Sequence, residues 1–127
     1  MVTLQGNTGP YLQYAAARVR SILRTAADTE GAVPGDVVVG SPAEHDLALA
    51  LLGFGDVVVE VGAFLEPHRL CGYLFDLAQT FSVFYENCPV LNADPATRSS
   101  RLTLCRTTLD VLATGLDLLG IASPERM

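Results

Sequence analysis

The sequence predicts an all-α protein, a five-helix up-and-down bundle, on three observations. Proline and glycine cut the 127 residues into blocks of helical length. Apolar residues recur three and four apart within those blocks, the spacing of one helix face. Half of all residues are hydrophobic and only 17% are charged, enough to bury a core and too apolar for a disordered chain. The length suits a single domain over residues 1–127.

The first helix is expected over about residues 9–28. Pro10 suits a first turn, where a missing N–H costs nothing, with Thr8 or Gly9 before it as cap. Leu12, Ala15, Val19, Ile22 and Ala26 form its apolar stripe. Thr29–Gly40, TEGAVPGDVVVG, reads as a loop whose Val37–Val39 run has no plausible strand partner. Ser41-Pro42-Ala43-Glu44 is a capping box: Ser41 caps, Pro42 takes the first helical position and Glu44 reaches back. A second helix should follow over 42–52. Gly53 and Gly55 bracket a break, and Asp56 starts a third helix over 56–64. The Val57–Val61 block favours strand by propensity, but a lone strand has nowhere to place its hydrogen bonds. Pro67 opens a fourth helix over 67–87 with Leu70, Leu74, Leu77, Phe81 and Phe84 along one stripe, and Cys88-Pro89 ends it. Asp94-Pro95 caps the fifth, over 95–119, where Leu102, Cys105, Leu109, Leu112, Leu116 and Leu119 keep an a/d rhythm up to the stop at Gly120.

Composition also bounds function. Eight basic residues, all arginine, stand against fourteen acidic ones, for a net charge of −6. That balance argues against nucleic-acid binding, although arginine suits bidentate phosphate contact and stacking on bases. The Arg-only, Ala/Gly/Val-rich usage points to a high-GC genome. No apolar stretch reaches the roughly 18–20 residues a bilayer requires, and no basic-then-apolar leader opens the chain, so a cytoplasmic protein is expected. Cys71, Cys88 and Cys105 form no CxxC pair, and His68/Cys71 falls short of a four-ligand zinc site, so buried structural thiols are expected and neither metal nor cofactor. Glu44 and Asp46 read as helix-start acids. There is no nucleophile–base pairing and no phosphate loop, since GNTGP is too short for one.

One surface stands out. At roughly 100° per residue, Tyr11, Tyr14 and Arg18 share a face beside the apolar stripe of the first helix. Two rings and a guanidinium in a row suit stacking on unpaired bases, while the same pattern also fits amphipathic side chains lining the edge of a core. Tyr85 occupies the margin of its own helix and admits both readings.

The run GNTGPYLQYAAARVRSILR resembles the opening of the anticodon-binding domain of arginyl-tRNA synthetases. The resemblance continues through LEPHRLCGYLFDLAQTFSVFYENCPVL and closes with RLTLCRTTLDVLATGLDLLGIASPERM, leaving the Thr29–Gly40 loop as the variable part. It implies a DALR-type, class Ia synthetase anticodon-binding domain, of bacterial type, that grips the anticodon loop of tRNA-Arg. The implied contacts are Tyr11, Tyr14, Arg18, Tyr85 and the terminal Met127; Asn7 is implied only to position the chain. The sequence departs from the family pattern at Ala16, where His is usual, and at Gly55, where Pro is usual. Neither the HIGH-type nor the KMSK-type ATP motif occurs, so the 127 residues are expected to lack the catalytic domain and not to charge tRNA unaided. The implied partners are tRNA-Arg and, within a longer chain, the catalytic domain of the synthetase, with neither DNA nor membrane. A free-standing paralogue acting as a helical protein-interaction module is the alternative, favoured by the acidic charge.

Overall fold

Proline at the first turn marks where three of the helices begin. A computed structural model of the chain describes residues 8–27, 35, 37–58, 67–88, 90 and 94–120. Four long helices, Thr8–Ala27 (α1), Pro42–Leu52 (α2), Pro67–Asn87 (α4) and Pro95–Leu118 (α5), account for most of it. A short helix, α3, is described over residues 54–58, and no strand occurs among the described residues. None of the described helices is long and apolar enough to cross a membrane.

Pairs of touching residues give the helix directions. Tyr11 meets Phe75 and Arg18 meets Ser82, so α1 and α4 run the same way. Tyr73 meets Ala50 while Ser41 meets Cys88, so α2 runs against α4. Glu44 meets Arg101, and Leu74 meets Gly115, which sets α5 parallel to α2 and antiparallel to α4. The long helices therefore alternate up, down, up, down. The α4–α5 pair is central, with α1 and α2 packed on either side of it.

The core draws Leu12, Val19 and Ile22 from α1, Leu47 from α2, Leu70, Leu74, Leu77, Phe81 and Phe84 from α4, and Leu102, Leu112 and Leu116 from α5. Burying each such side chain contributes about 1.5–3 kcal/mol relative to exposure. Gly115 allows the closest approach: a Cβ there would stand 2.6 Å from a terminal carbon of Leu74.

Several expectations need correction. Helix α1 already includes Thr8 and Gly9, so neither is an outside cap, and Pro10 lies third in the helix. A proline is tolerated there because the first four N–H groups have no helical acceptor. Ala16, not Ala15, lies at the centre of the buried stripe of α1. The third helix starts at Phe54 rather than Asp56, because Gly53 is itself in helical conformation and accepts from Val57 N–H at 3.2 Å. Its expected continuation over 59–64 lies outside the described residues. The a/d rhythm of α5 is too narrow: Leu109 and Leu119 are half-buried, while Thr108, Val111 and Gly115 join the core face.

The Val37–Val39 run does have a partner, though not a strand. Ser100, fully buried on α5, accepts from Val38 N–H at 2.8 Å and donates to Val38 C=O at 3.1 Å. Gly35 N–H is likewise held by Thr103 Oγ1 at 2.9 Å. A row of α5 hydroxyls thus supplies hydrogen bonds that a neighbouring strand would give.

Glu44 is the largest correction. It is 2% exposed, and its Oε2 accepts from Arg101 Nε at 3.2 Å. Its back-bond reaches Gly40 N–H rather than that of Ser41, while Ser41 Oγ does cap the helix by accepting from Glu44 N–H. The residue is a core ion-pair partner as well as a cap.

At α5 the expected cap is present, with the Asp94 side chain accepting from Thr97 N–H. Hydrogen bonds from Thr97 hold its carboxyl below the ordinary 3.8. A depressed pKa means this contribution is present above pH 3.8 and lost as pH falls through the folded value. Asp94→Ala should therefore melt below wild type at neutral pH, and the gap should narrow well below pH 3.8, in thermal melts followed by circular dichroism. An equal gap at both pH values would contradict this role.

Candidate nucleic-acid interface

The seam between α1 and α4 gathers four of the five residues that the sequence singled out. Tyr11, half-buried, packs on Phe75 with ring centroids 5.1 Å apart and planes tilted by 46°. One helical turn on, Tyr14 stands 58% exposed at the rim. A further turn on, Arg18 crosses to α4 and lays its guanidinium 5.2 Å from the centre of the Tyr85 ring. Tyr85 is in turn stacked with Phe81 at 6.1 Å and 12°. The fifth residue, Met127, lies outside the described residues, as does Asn7.

Helical periodicity explains the α1 part. Residues 11, 14 and 18 fall on one flank because three and four residues both return nearly a full turn. On α4, Phe81 and Tyr85 are four apart and so form one ledge beneath Arg18. Arg18 Nη1 also donates to Ser82 Oγ at 3.4 Å, a long contact that fixes the guanidinium along the ledge. A cation over an aromatic face is worth about 0.5–2 kcal/mol, more as water is excluded.

Between these side chains lies a notch of about 40 Å³, lined by Tyr11, Tyr14, Ala15 and Arg18 on one side and Ala78, Phe81 and Ser82 on the other. A water molecule occupies about 30 Å³ in the liquid, so the notch cannot swallow a planar base. Any base that binds here must lie across the rim, against the exposed ring of Tyr14 and the outer face of the guanidinium. Among the described residues the site presents rings and a guanidinium, and it brings together no pair of groups fit for acid–base chemistry.

Sequence reasoning missed Phe75, Phe81 and Ser82. Phe81 and Ser82 sit four and three residues before Tyr85, so the ledge was readable once Tyr85 was under suspicion. Phe75 carried no such signal, since its pairing with Tyr11 depends on how α1 docks. The thiols play no part in the site. All three are buried, and burial pushes Cys71 up and Cys105 up to about 12, which keeps both protonated. No group of metal-ligating side chains occurs among the described residues.

Fold and seam together define a helical bundle with a row of tyrosines and an arginine bedded on one of them along one edge. Residues 12–127 match the model of the DALR anticodon binding domain. The chain belongs to that family, in the form carried by arginyl-tRNA synthetases. It is 60% identical over 128 residues to the arginine–tRNA ligase of Thermobifida fusca, covering all of this chain and 22% of that protein. To the arginine–tRNA ligase of Frankia casuarinae it is 58% identical, covering 100% of this chain and 21% of the relative. Among solved structures, the arginyl-tRNA synthetase of Thermus thermophilus superposes with a TM-score of 0.82 at 41% identity, over 98% of this chain and 22% of that one. The synthetase of Plasmodium falciparum gives 0.79 at 34% identity, over 98% and 22% respectively. The chain thus spans about a fifth of the length of the relatives it matches.

Proposed function

We propose that the chain binds the anticodon loop of tRNA-Arg as the anticodon-binding domain of an arginyl-tRNA synthetase, in the cytoplasm. It would thereby support ATP-dependent arginylation carried out by a catalytic domain outside these residues. The observation that carries this reading is the Arg18 guanidinium bedded on Tyr85, with Tyr14 exposed beside it. An unpaired base stacks on such a plane and its phosphate is drawn to the charge, which is how single-stranded RNA loops are held. Because Phe81 and Arg18 already neighbour the Tyr85 ring, the guanidinium offers the base its upper surface and Tyr85 supports it from below. Met127 belongs to the proposed contact set through the family resemblance alone.

A fluorescence-anisotropy titration at low salt tests this, comparing a tRNA-Arg transcript with one whose anticodon bases are replaced. Preference for the native anticodon is the expected result, and equal binding of the two would refute base recognition. The acidic net charge of −6 favours a second reading, a protein-interaction module that has left RNA behind. Absence of binding to either transcript would favour it.

A further inference from the structure

Two contacts fix how α1 and α4 face each other across the seam: the Tyr11 ring on Phe75, and Arg18 Nη1 on Ser82 Oγ. Both join residues 64 apart in the sequence, so the same register sets Tyr14 and Ala15 level with Ala78 and Gln79. On α4, Gln79 lies one turn after Phe75 and one turn before Ser82, so the three side chains stand in a row along one flank. Phe75 and Ser82 are half-buried, whereas Gln79 between them is exposed. Other uncharged polar groups of this helix are engaged. Ser82 takes the hydrogen bond from Arg18, and Thr80 and Asn87 donate back to the carbonyls of Asp76 and Val83 at 2.9 and 2.8 Å. Among the described residues nothing holds the Gln79 carboxamide.

We infer that Gln79 reads the edge of the base that stacks across Tyr14 and Arg18, and so sets base specificity at the seam. This role rests on the RNA-binding reading above and deepens it by naming the residue that tells one base from another. A ring and a guanidinium plane hold any base, because every base has a π-face. Discrimination requires donors and acceptors that meet the base at its edge. A carboxamide carries both on one flat group, an acceptor oxygen and an NH2 donor, and can pair with a base edge through two parallel hydrogen bonds. A base lying against the exposed Tyr14 ring spans the notch toward α4 and turns an edge to the turn that carries Gln79. The neighbouring side chains do not offer the same readout. Asp76 and Glu86 are exposed carboxylates, which only accept and repel the adjoining phosphates, and Phe75 presents a ring.

The test is the anisotropy titration run with the native tRNA-Arg transcript and with three others, each carrying one replaced anticodon base. The chain carries Q79M, which keeps the length of the side chain and removes its polar atoms, or Q79A, with N87A as a control off that row. Folding of each variant is checked by circular dichroism. Q79M and Q79A should weaken the native transcript by about 5–150-fold, the span of one bidentate base contact. They should leave unchanged the affinity for the transcript whose replaced base is the one Gln79 meets. Preference therefore collapses at one anticodon position and survives at the other two. The log–log salt slope should match that of the unsubstituted chain, because no phosphate contact is lost, and N87A should change nothing. Preference kept at all three positions would overturn the role. So would an equal loss for all four transcripts, which would make Gln79 a backbone contact. Either result leaves the anticodon reading intact, provided that the unsubstituted chain favours the native transcript. An unsubstituted chain that binds all four alike, or none, removes that reading and the role of Gln79 with it.

Discussion

Glu44→Ala is expected to lower the unfolding free energy by about 3–5 kcal/mol, the range for removing one member of a buried ion pair. The carboxylate is 2% exposed and serves two clients: Gly40 N–H on one oxygen and Arg101 Nε on the other, each at 3.2 Å. Alanine would take the acceptor away from the Gly40 amide and from Arg101 Nε, and the Arg101 side chain is only 15% exposed. Three parts of the fold meet at this carboxylate, namely the loop ending at Gly40, the start of α2 and the first half of α5. Against a typical domain stability of about 5–15 kcal/mol, the loss is large. It should appear as a fall in melting temperature on the order of 15 °C and a matching drop in the urea midpoint. Arg101→Ala should cost a similar amount by stranding the carboxylate. Glu44→Leu/Arg101→Met should recover much of the loss, because two apolar side chains need no partners. A Glu44→Ala change below about 1 kcal/mol would reduce the residue to an ordinary exposed cap.

This pair shows where the sequence stopped speaking. Ser41-Pro42-Ala43-Glu44 has the signature of a capping box, and a glutamate at that position looks the same whether or not an arginine awaits it from another helix. One clue was present: Glu44 lies three residues before Leu47 and so shares its buried face. The stripe of α4 was readable because large apolar side chains mark it without interruption. That of α5 was not, since Thr108 and Gly115 lie inward. Thr108 satisfies its hydroxyl on Leu104 C=O at 2.7 Å, and Gly115 is needed for the approach of Leu74. Helix starts at Pro42, Pro67 and Pro95 followed from a local rule, whereas the docking of Val38 on Ser100 spans 62 residues and follows from none. The same divide runs through the site. One helix places Tyr11, Tyr14 and Arg18 on a common flank, but only the packing of α1 on α4 sets Arg18 over Tyr85.

Arg18→Ala and Tyr85→Ala should each weaken tRNA-Arg binding by about 1–3 kcal/mol, or roughly 5–150-fold, with helix content unchanged by circular dichroism. The effect is expected to exceed that of an ordinary surface arginine because the guanidinium is already placed. Tyr85 lies beneath it and Ser82 Oγ holds Nη1 at 3.4 Å, so less side-chain freedom is lost when RNA arrives. Conservative variants separate the roles. Tyr85→Phe keeps the ring and should retain most of the affinity, while Arg18→Lys keeps the charge but loses the plane on which a base stacks. If Arg18→Lys bound like wild type, charge alone would be at work and the stacking geometry would be wrong. The double variant carries the sharper test. The two side chains touch, so their losses should fall short of additive, by about 0.5 kcal/mol or more. Strict additivity would mean that each meets the RNA independently and that the bed beneath Arg18 has no part in binding. Unaltered affinity in both single variants would move the anticodon contact away from the α1–α4 seam altogether.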